Sequence, residues 1–309
     1  MKKKIMLPVD DSVHSSQAVG YAVKVSELVR ELSYVLFHVQ PSISGFLADE
    51  ARIDYKARRQ LQGVMEKNAR EALGLLEQHK AQMVKSGIPE DCIEMVTQPK
   101  SMGIARDILD WAQQHMYDAV VVGRRDRSGV QKAFMGSVTA KLAAYSMVCP
   151  LWVIDGTPAS EKILLAVDGS EGSLKAVDHV SFMFEGNNTV QITLFHVALK
   201  LGDYCEINYE DPISDLEKTV TQGAKRCMDR FFAHAQDKLK KAGIGQNQLE
   251  IKVSKRAIQG GRAIIDEAKE ENYGTVVVGR RGTGKAFYIG TVSKNVLDRG
   301  DDMALWLIS

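Results

Sequence analysis

Cysteines are few and scattered in this sequence: Cys92, Cys149, Cys205 and Cys227 lie far apart, with no C-x-x-C pair. That spacing offers neither a zinc site nor the framework of a disulfide-stapled secreted domain. Excess charge is missing too. Forty Lys and Arg face 39 Asp and Glu, a formal charge of +1. Nothing in that balance calls for nucleic acid or an anionic membrane as partner. No apolar run approaches the roughly 18 residues of a membrane span. The opening "MKKKIMLPVDD" is basic and then apolar, but Asp10 and Asp11 end the run short of the roughly 7–15 residues of a secretory h-region. The expected chain therefore has no leader and works in the cytoplasm. Catalytic signatures are absent as well: no G-x-S-x-G elbow, no H-E-x-x-H and no telling Cys–His pairing. The expectation is a protein that is not an enzyme, or at most a weak ATPase.

What is present is a repeat. The chain has 309 residues, 45% hydrophobic and 26% charged, a length that suggests two domains. "KIMLPVDDS" (4–12) returns as "KILLAVDGS" (162–170), and "LFHV" at 36–39 returns unchanged at 194–197. "KSGIPEDCIEMV" is echoed by "KAGIGQNQLEIKV", "DAVVVGRR" by "GTVVVGRR", and "PLWVID" by "ALWLIS". Asp10 and His38 recur 158 residues on; Gly87 and Gly123 recur 156 residues on. Ordered blocks at nearly constant offset define two similar domains, 1–155 and 161–309, joined by the linker "GTPAS" at 156–160.

Within each half, short β-rich runs alternate with helical patterns. Strands are expected near 4–9, 34–40, 92–97, 118–123 and 151–154, with helices near 13–30, 51–86, 102–115 and 137–146. The second half repeats the pattern, with strands near 162–167, 189–197, 249–253, 275–279 and 304–308. Runs such as "AVVVG" and "TVVVG" are apolar throughout, as strands buried on both faces are. The expected fold class is α/β: two tandem doubly wound domains, each a five-stranded parallel sheet with helices on both faces.

Ligands of such sheets bind outside the strand carboxyl ends, where the winding reverses. Two segments there have suitable chemistry. One is the strand-one exit, "PVDDS" and "AVDGS". The other is the glycine-rich exit of strand four, leading to a helix that opens with Gly136-Ser137 or Gly290-Thr291. A helix N-terminus with a hydroxyl offers N–H groups, an O–H donor and a positive dipole end to an anion. Arg124, Arg125, Arg127 and Lys132 surround the first loop; Arg280, Arg281 and Lys285 surround the second. Gly279, Gly284 and Lys285 match the spacing of a phosphate-cradling P-loop, but Ala286 stands where that motif needs Ser or Thr for Mg²⁺, and the sister loop has no Gly-Lys pair. The P-loop reading fails.

The pattern "VVVG" followed by G-[ST]-V and a final "PLWV", with "VD-x-S" closing strand one, resembles the universal stress protein family in its tandem form, over essentially the whole chain. The resemblance implies an adenine nucleotide alpha-hydrolase-like fold holding ATP, ADP or AMP, with Mg²⁺ or Mn²⁺ carried by the nucleotide. In the first domain the implied contacts are Pro8, Val9, Asp10, Val39, Gly123, Arg124, Asp126, Gly136, Ser137 and Val138. In the second they are Ala166, Val167, Asp168, Val197, Gly279, Arg280, Gly282, Gly290, Thr291 and Val292. It further implies a stress sensor or regulator whose final strands pair the halves into a pseudo-dimer, with homodimers beyond that.

Both copies depart from the family loop G-x2-G-x9-G-[ST]. Asp126 replaces the second glycine in the first half, and two like charges about 4 Å apart cost about 4 kcal/mol at an effective dielectric of 20. In the second half only seven residues separate Gly282 from Gly290. The first half is favoured, because loop length is harder to repair than one side chain. Alternatives stay open: a dimerising or interaction scaffold that has lost nucleotide binding in one or both domains, or a true ATPase or nucleotidyl transferase. Individual residues carry plainer readings as well. Asp10 and Asp168 suit helix N-caps, as do the Gly-Ser and Gly-Thr starts. The arginines suit solvated surface charges or subunit contacts. His38 and His196, inside apolar strands, suit structural roles, and Trp152 and Trp306 suit core or interface anchors. Stretch 51–86 reads as one amphipathic helix covering the sheet, with no phosphate chemistry.

Overall fold

The computed structural model describes residues 2–124, 136–158, 160–198, 214–254, 260–281 and 289–309; in the helix that begins at Ser214, side chains are described from Gln222. The chain divides between Thr157 and Pro158 into two compact units.

In the first unit the elements run β1 (Lys3–Pro8), α1 (Val13–Leu28), β2 (Leu32–Gln40), α2 (Gly45–Ile53), α3 (Tyr55–Lys85), β3 (Ile93–Pro99), α4 (Ile104–Gln114), β4 (Ala119–Gly123), α5 (Ser137–Tyr145) and β5 (Leu151–Ile154). Its strands are parallel and lie in the order β3-β2-β1-β4-β5. The second unit repeats this with β6 (Ile163–Ala166), α6 (Glu171–Met183), β7 (Ile192–Val197), α7 (Ser214–Lys241), β8 (Leu249–Ser254), α8 (Gly260–Glu270), β9 (Thr275–Gly279), α9 (Thr291–Arg299) and β10 (Ala304–Ile308). Its parallel order is β8-β7-β6-β9-β10. In each unit the winding runs outward from the first strand and then reverses to the fourth, which creates a switch point between β1 and β4, and between β6 and β9.

Apolar strands hold the core. Ile5, Met6 and Leu7 in β1, Ala119, Val120 and Val121 in β4, and their counterparts Leu164, Leu165, Val276 and Val277 are fully buried. Helices cover both faces of each sheet, so these runs cannot alternate with polar residues and still be buried. Trp152 and Trp306 are fully buried on the last strands. Tyr21 meets Trp152 edge-on at 6.4 Å, and the equivalent His179 meets Trp306 edge-on at 5.7 Å. Among the described residues no helix is long and apolar enough to cross a membrane.

The expected single helix over 51–86 is two helices. Asp54 adopts an extended backbone (φ −109°, ψ 129°), which ends α2, and its carboxylate accepts from the Ala57 N–H at 2.7 Å to cap α3. A short acidic side chain competes with the helix for its own backbone donors and so favours a cap over a helix interior.

Although part of His179 reaches solvent, burial of its imidazole drives the pKa from 6.5 down to about 3. A depressed folded pKa means that the unfolded chain binds the proton more readily. The stabilisation by the neutral ring is therefore complete above about pH 6.5 and is lost as the pH falls toward the folded value. His179→Tyr, matching Tyr21, is expected to make the melting temperature of the full chain less sensitive to acidification between about pH 7 and 5 than that of the wild type. Parallel pH profiles for the two proteins would contradict this assignment.

Candidate functional site

At the first switch point, the exits of β1, β2 and β4 and the first turns of α1 and α5 enclose a cleft of about 200 Å³. Its apolar lining is formed by Val9, Phe37, Val39, Val122 and two residues of α4, Ile104 and Ile108. Its polar lining includes Asp10, Ser12, His14, Ser15, Ser137 and Thr139. A flat apolar body and a polar or anionic end fit such a lining.

Asp10 is held rigidly. Its Oδ1 accepts from the Ser12 N–H (3.1 Å), the Ser12 hydroxyl (2.5 Å) and the Ser15 hydroxyl (2.6 Å), while its own N–H donates to Ser15 Oγ at 2.9 Å. Burial pushes the carboxyl pKa up, but the bonds from Ser12 and Ser15 outweigh it, so the group lies below the ordinary aspartate range. It is ionised at neutral pH. The second domain repeats the arrangement: Asp168 Oδ1 accepts from the Ser170 N–H (3.0 Å) and the Ser173 hydroxyl (2.6 Å), and the Asp168 N–H donates to Ser173 Oγ (3.0 Å). The aspartates are not the N-caps. Ser170 caps α6 by accepting from the Ser173 N–H, and Ser12 accepts likewise from the Ser15 N–H. The aspartate stands two residues earlier in an Asx turn that braces the cap.

Histidines secure the strand-one exit. His38 Nδ1 lies 2.7 Å from the Val9 carbonyl oxygen, and His196 Nδ1 lies 2.9 Å from that of Val167. A carbonyl only accepts, so Nδ1 carries the hydrogen in both. Both rings thus perform the structural task their sequence context suggests, and His38 also lines the cleft. In the first domain His79 adds a second tie, with Nε2 3.0 Å from the Asp10 carbonyl oxygen. It is a buried residue of α3, the helix that reads in sequence only as a cover.

The strand-four exit is fixed by close backbone approach. A β-carbon on Gly123 would lie 2.1 Å from the His14 carbonyl oxygen, and one on Gly279 would lie 2.6 Å from the Gly172 carbonyl carbon. The following helices are clasped back onto these glycines: the Thr139 hydroxyl donates to the Gly123 carbonyl (3.2 Å), and the Ser293 hydroxyl to that of Gly279 (2.7 Å). Gly136 and Gly290 are the N-caps and make no side-chain cap, so Ser137 and Thr291 are the first helical residues and their hydroxyls do not serve as caps. The first N–H groups of α5 have no acceptor within the helix and border the cleft.

Of the first-domain residues expected at the site, Pro8, Val9, Asp10, Val39, Gly123, Gly136, Ser137 and Val138 all line this one cleft. Arg124 does not line it: its backbone extends the ladder to the Ile154 carbonyl, and the residue is 1% exposed. Arg280 is 2% exposed, bonded likewise to Ile308, and burial, followed by the charge of Arg281, lowers its pKa to about 10. Neither is a solvated surface charge. In the second domain Ala166, Val167, Asp168, Val197, Gly279, Gly290, Thr291 and Val292 hold the equivalent positions at the β6, β7 and β9 exits and the start of α9. Asp126 and Gly282 lie outside the described residues, as do Arg125, Arg127, Lys132, Gly284, Lys285 and Ala286.

Sequence reasoning passed over Ser12 and Ser15, although the repeated frame Asp-x-Ser-x-x-Ser marks them in both halves. It also passed over Ile104 and Ile108, one turn apart on α4. Behind them the buried Asp107 carboxylate accepts from the Ser101 and Met102 N–H groups at 2.9 Å each, fixing the turn into α4.

The universal stress protein family profile matches residues 1–155 and again 159–301. The universal stress protein YxiE of Bacillus subtilis is 26% identical over 155 residues, half of this chain and 99% of its own. Among solved structures, a universal stress protein from Archaeoglobus fulgidus is 17% identical, with a TM-score of 0.66 over 99% of this chain and 98% of its own. A protein of unknown function from Pseudomonas aeruginosa is 16% identical, with a TM-score of 0.56 over 99% and 92%. The chain belongs to the universal stress protein family and carries its domain twice.

Ser15→Ala removes a donor to the Asp10 carboxylate and an acceptor from its backbone. It is expected to raise the Asp10 pKa toward the ordinary carboxyl range, read by a carbon-detected NMR titration of the side chain. An unchanged titration would show that Ser15 does not hold the charge.

Proposed function

We propose that this protein is a stress-response sensor or regulator that binds an adenine nucleotide (ATP, ADP or AMP) in the first-domain cleft. The observation that carries the reading is the cleft itself. A cleft lined by both apolar and polar residues opens at the switch point beside an ionised Asp10, and two helix N-termini border it. In this reading Val9 and Val39 flank the base, and Asp10 faces the adenine. Gly136, Ser137 and the open N–H groups of α5 take ribose and phosphate oxygens. Mg²⁺ or Mn²⁺ enters with the nucleotide. Family membership supports the same reading.

The protein is not a fast enzyme on this account, since the sequence carries no nucleophile elbow, no H-E-x-x-H and no telling Cys–His pairing. Turnover stays below roughly one per minute. The proposed compartment is the cytoplasm, and pairing of the domains through their final strands, with homodimers beyond, belongs to the same proposal. The competing reading is an interaction scaffold that has lost nucleotide binding in one or both domains, motivated by Asp126 in the first loop and by the shorter second loop.

The test is direct. Protein purified without added nucleotide, denatured and chromatographed, is expected to release ATP, ADP or AMP, or the emptied protein to bind one of them in calorimetry. Asp10→Ala is expected to weaken that binding by about tenfold or more, the scale of losing a charged hydrogen-bond acceptor. Protein that releases nothing and ignores all three nucleotides contradicts the proposal. Rapid turnover that vanishes on Asp10→Ala would make it an enzyme instead.

A further inference from the structure

We infer that Ile104, on the first turn of α4, is a specificity-determining residue that grips the base of a nucleotide in the first cleft, and that the second domain lacks this grip because glycines stand at the equivalent of Ile104 and of its neighbour. The inference rests on the nucleotide reading above and concerns which residue sets base affinity, and in which domain.

Ile104 and Ile108 are four residues apart, so they share one side of α4, and both line the cleft. Their packing differs. Ile108 is 2% exposed and belongs to the core, whereas Ile104 is 41% exposed. A single exposed isoleucine on a protein surface is ordinary. This one adjoins a buried isoleucine within a cleft wall, where an apolar ligand that covers it removes further apolar surface from water. The turn that presents it is anchored, because the buried Asp107 carboxylate accepts from the Ser101 and Met102 N–H groups at 2.9 Å each. Little ordering of that turn remains for a ligand to impose.

Helix α8 repeats α4 at the offset of 156 residues that separates Gly123 from Gly279. Ile108 keeps its counterpart in the buried Ile264, but Ile104 becomes Gly260 and Ala105 becomes Gly261. A β-carbon on Gly261 would lie 2.6 Å from that of Asn295 and 2.8 Å from the Val292 carbonyl oxygen. Helices α8 and α9 therefore approach to a distance that admits no side chain there. Ala105 does carry a β-carbon and is buried, so α4 and α5 stand further apart at this point. A β-carbon on Gly260 would meet Val292 Cγ2 at 3.6 Å. Val292, the counterpart of the cleft residue Val138, thus lies beside bare backbone where the first domain has an isoleucine. The apolar surface that Ile104 adds to one domain is missing from the other.

The experiment is calorimetric titration of the full chain with AMP, joined to NMR detection of contacts between isoleucine δ1-methyl groups and the bound ligand. Ile104→Ala is expected to weaken AMP binding about fivefold, the scale of losing a little more than one buried methylene group. Ile104→Leu keeps the apolar area and is expected to stay within about twofold of the wild type. The melting temperature of the unliganded chain is expected to be nearly unchanged in both. In the wild type, methyl contacts are expected to reach the protons of the base, and one of them to vanish in Ile104→Ala. An alanine variant that binds as the wild type does, a leucine variant that loses as much as alanine, or methyl contacts to the ribose alone overturns the role of Ile104 and leaves the nucleotide reading standing. Two equal AMP sites per chain, or a tighter site that Ile104→Ala does not touch, overturns the asymmetry. Wild-type protein that binds neither AMP, ADP nor ATP overturns both readings.

Discussion

Backbone-to-backbone contact at the switch point governs the rest of the site. Strand four can end against the first turn of helix α1 only because residue 123 lacks a β-carbon, and the same holds for residue 279 against α6. That approach brings a helix N-terminus beside two strand ends. Close packing allows no gradual compromise at such a distance, since a single added carbon would overlap a carbonyl.

Around that contact the polar groups are arranged so that little is left to move. The aspartate at the strand-one exit is held by its neighbouring serines, its preceding carbonyl is held by His38 or His196, and in the first domain His79 fixes its own carbonyl. Satisfied hydrogen bonds in a half-buried setting are worth more as rigidity than as net stability. A ligand entering the first cleft meets a charge and a set of donors already in position, so little ordering remains for it to impose.

Much of this was legible in the residues. Duplication could be read from blocks such as "LFHV" and "VVVGRR", because each copy must bury the same parallel strands. The switch-point site followed from strand order and glycine placement, and eight of the first-domain residues expected there share one cleft. Other features were not legible, for identifiable reasons. Asp54 divides a helical pattern because its carboxylate caps the next helix, a local competition that periodicity does not register. Arg124 and Arg280 look like surface charges in a glycine-rich loop, yet their backbones still belong to the sheet ladder and their side chains are buried. His79 acts across 69 residues of sequence on a backbone atom, a contact that only folding reveals.

The two copies keep one framework and differ in detail around it. Asp10 and Asp168 each accept from the second serine of the frame, while the hydroxyl of the first serine donates to Asp10 in one domain and to the Ser173 hydroxyl in the other. The account stands or falls on where an anion settles. A crystal structure grown with ATP and Mg²⁺ is expected to place the base between Val9 and Val39 and the phosphates beside Gly136, Ser137 and the first turn of α5, in the first domain. Phosphates bound instead in the second domain, or no nucleotide in either cleft at saturating ATP, would contradict it.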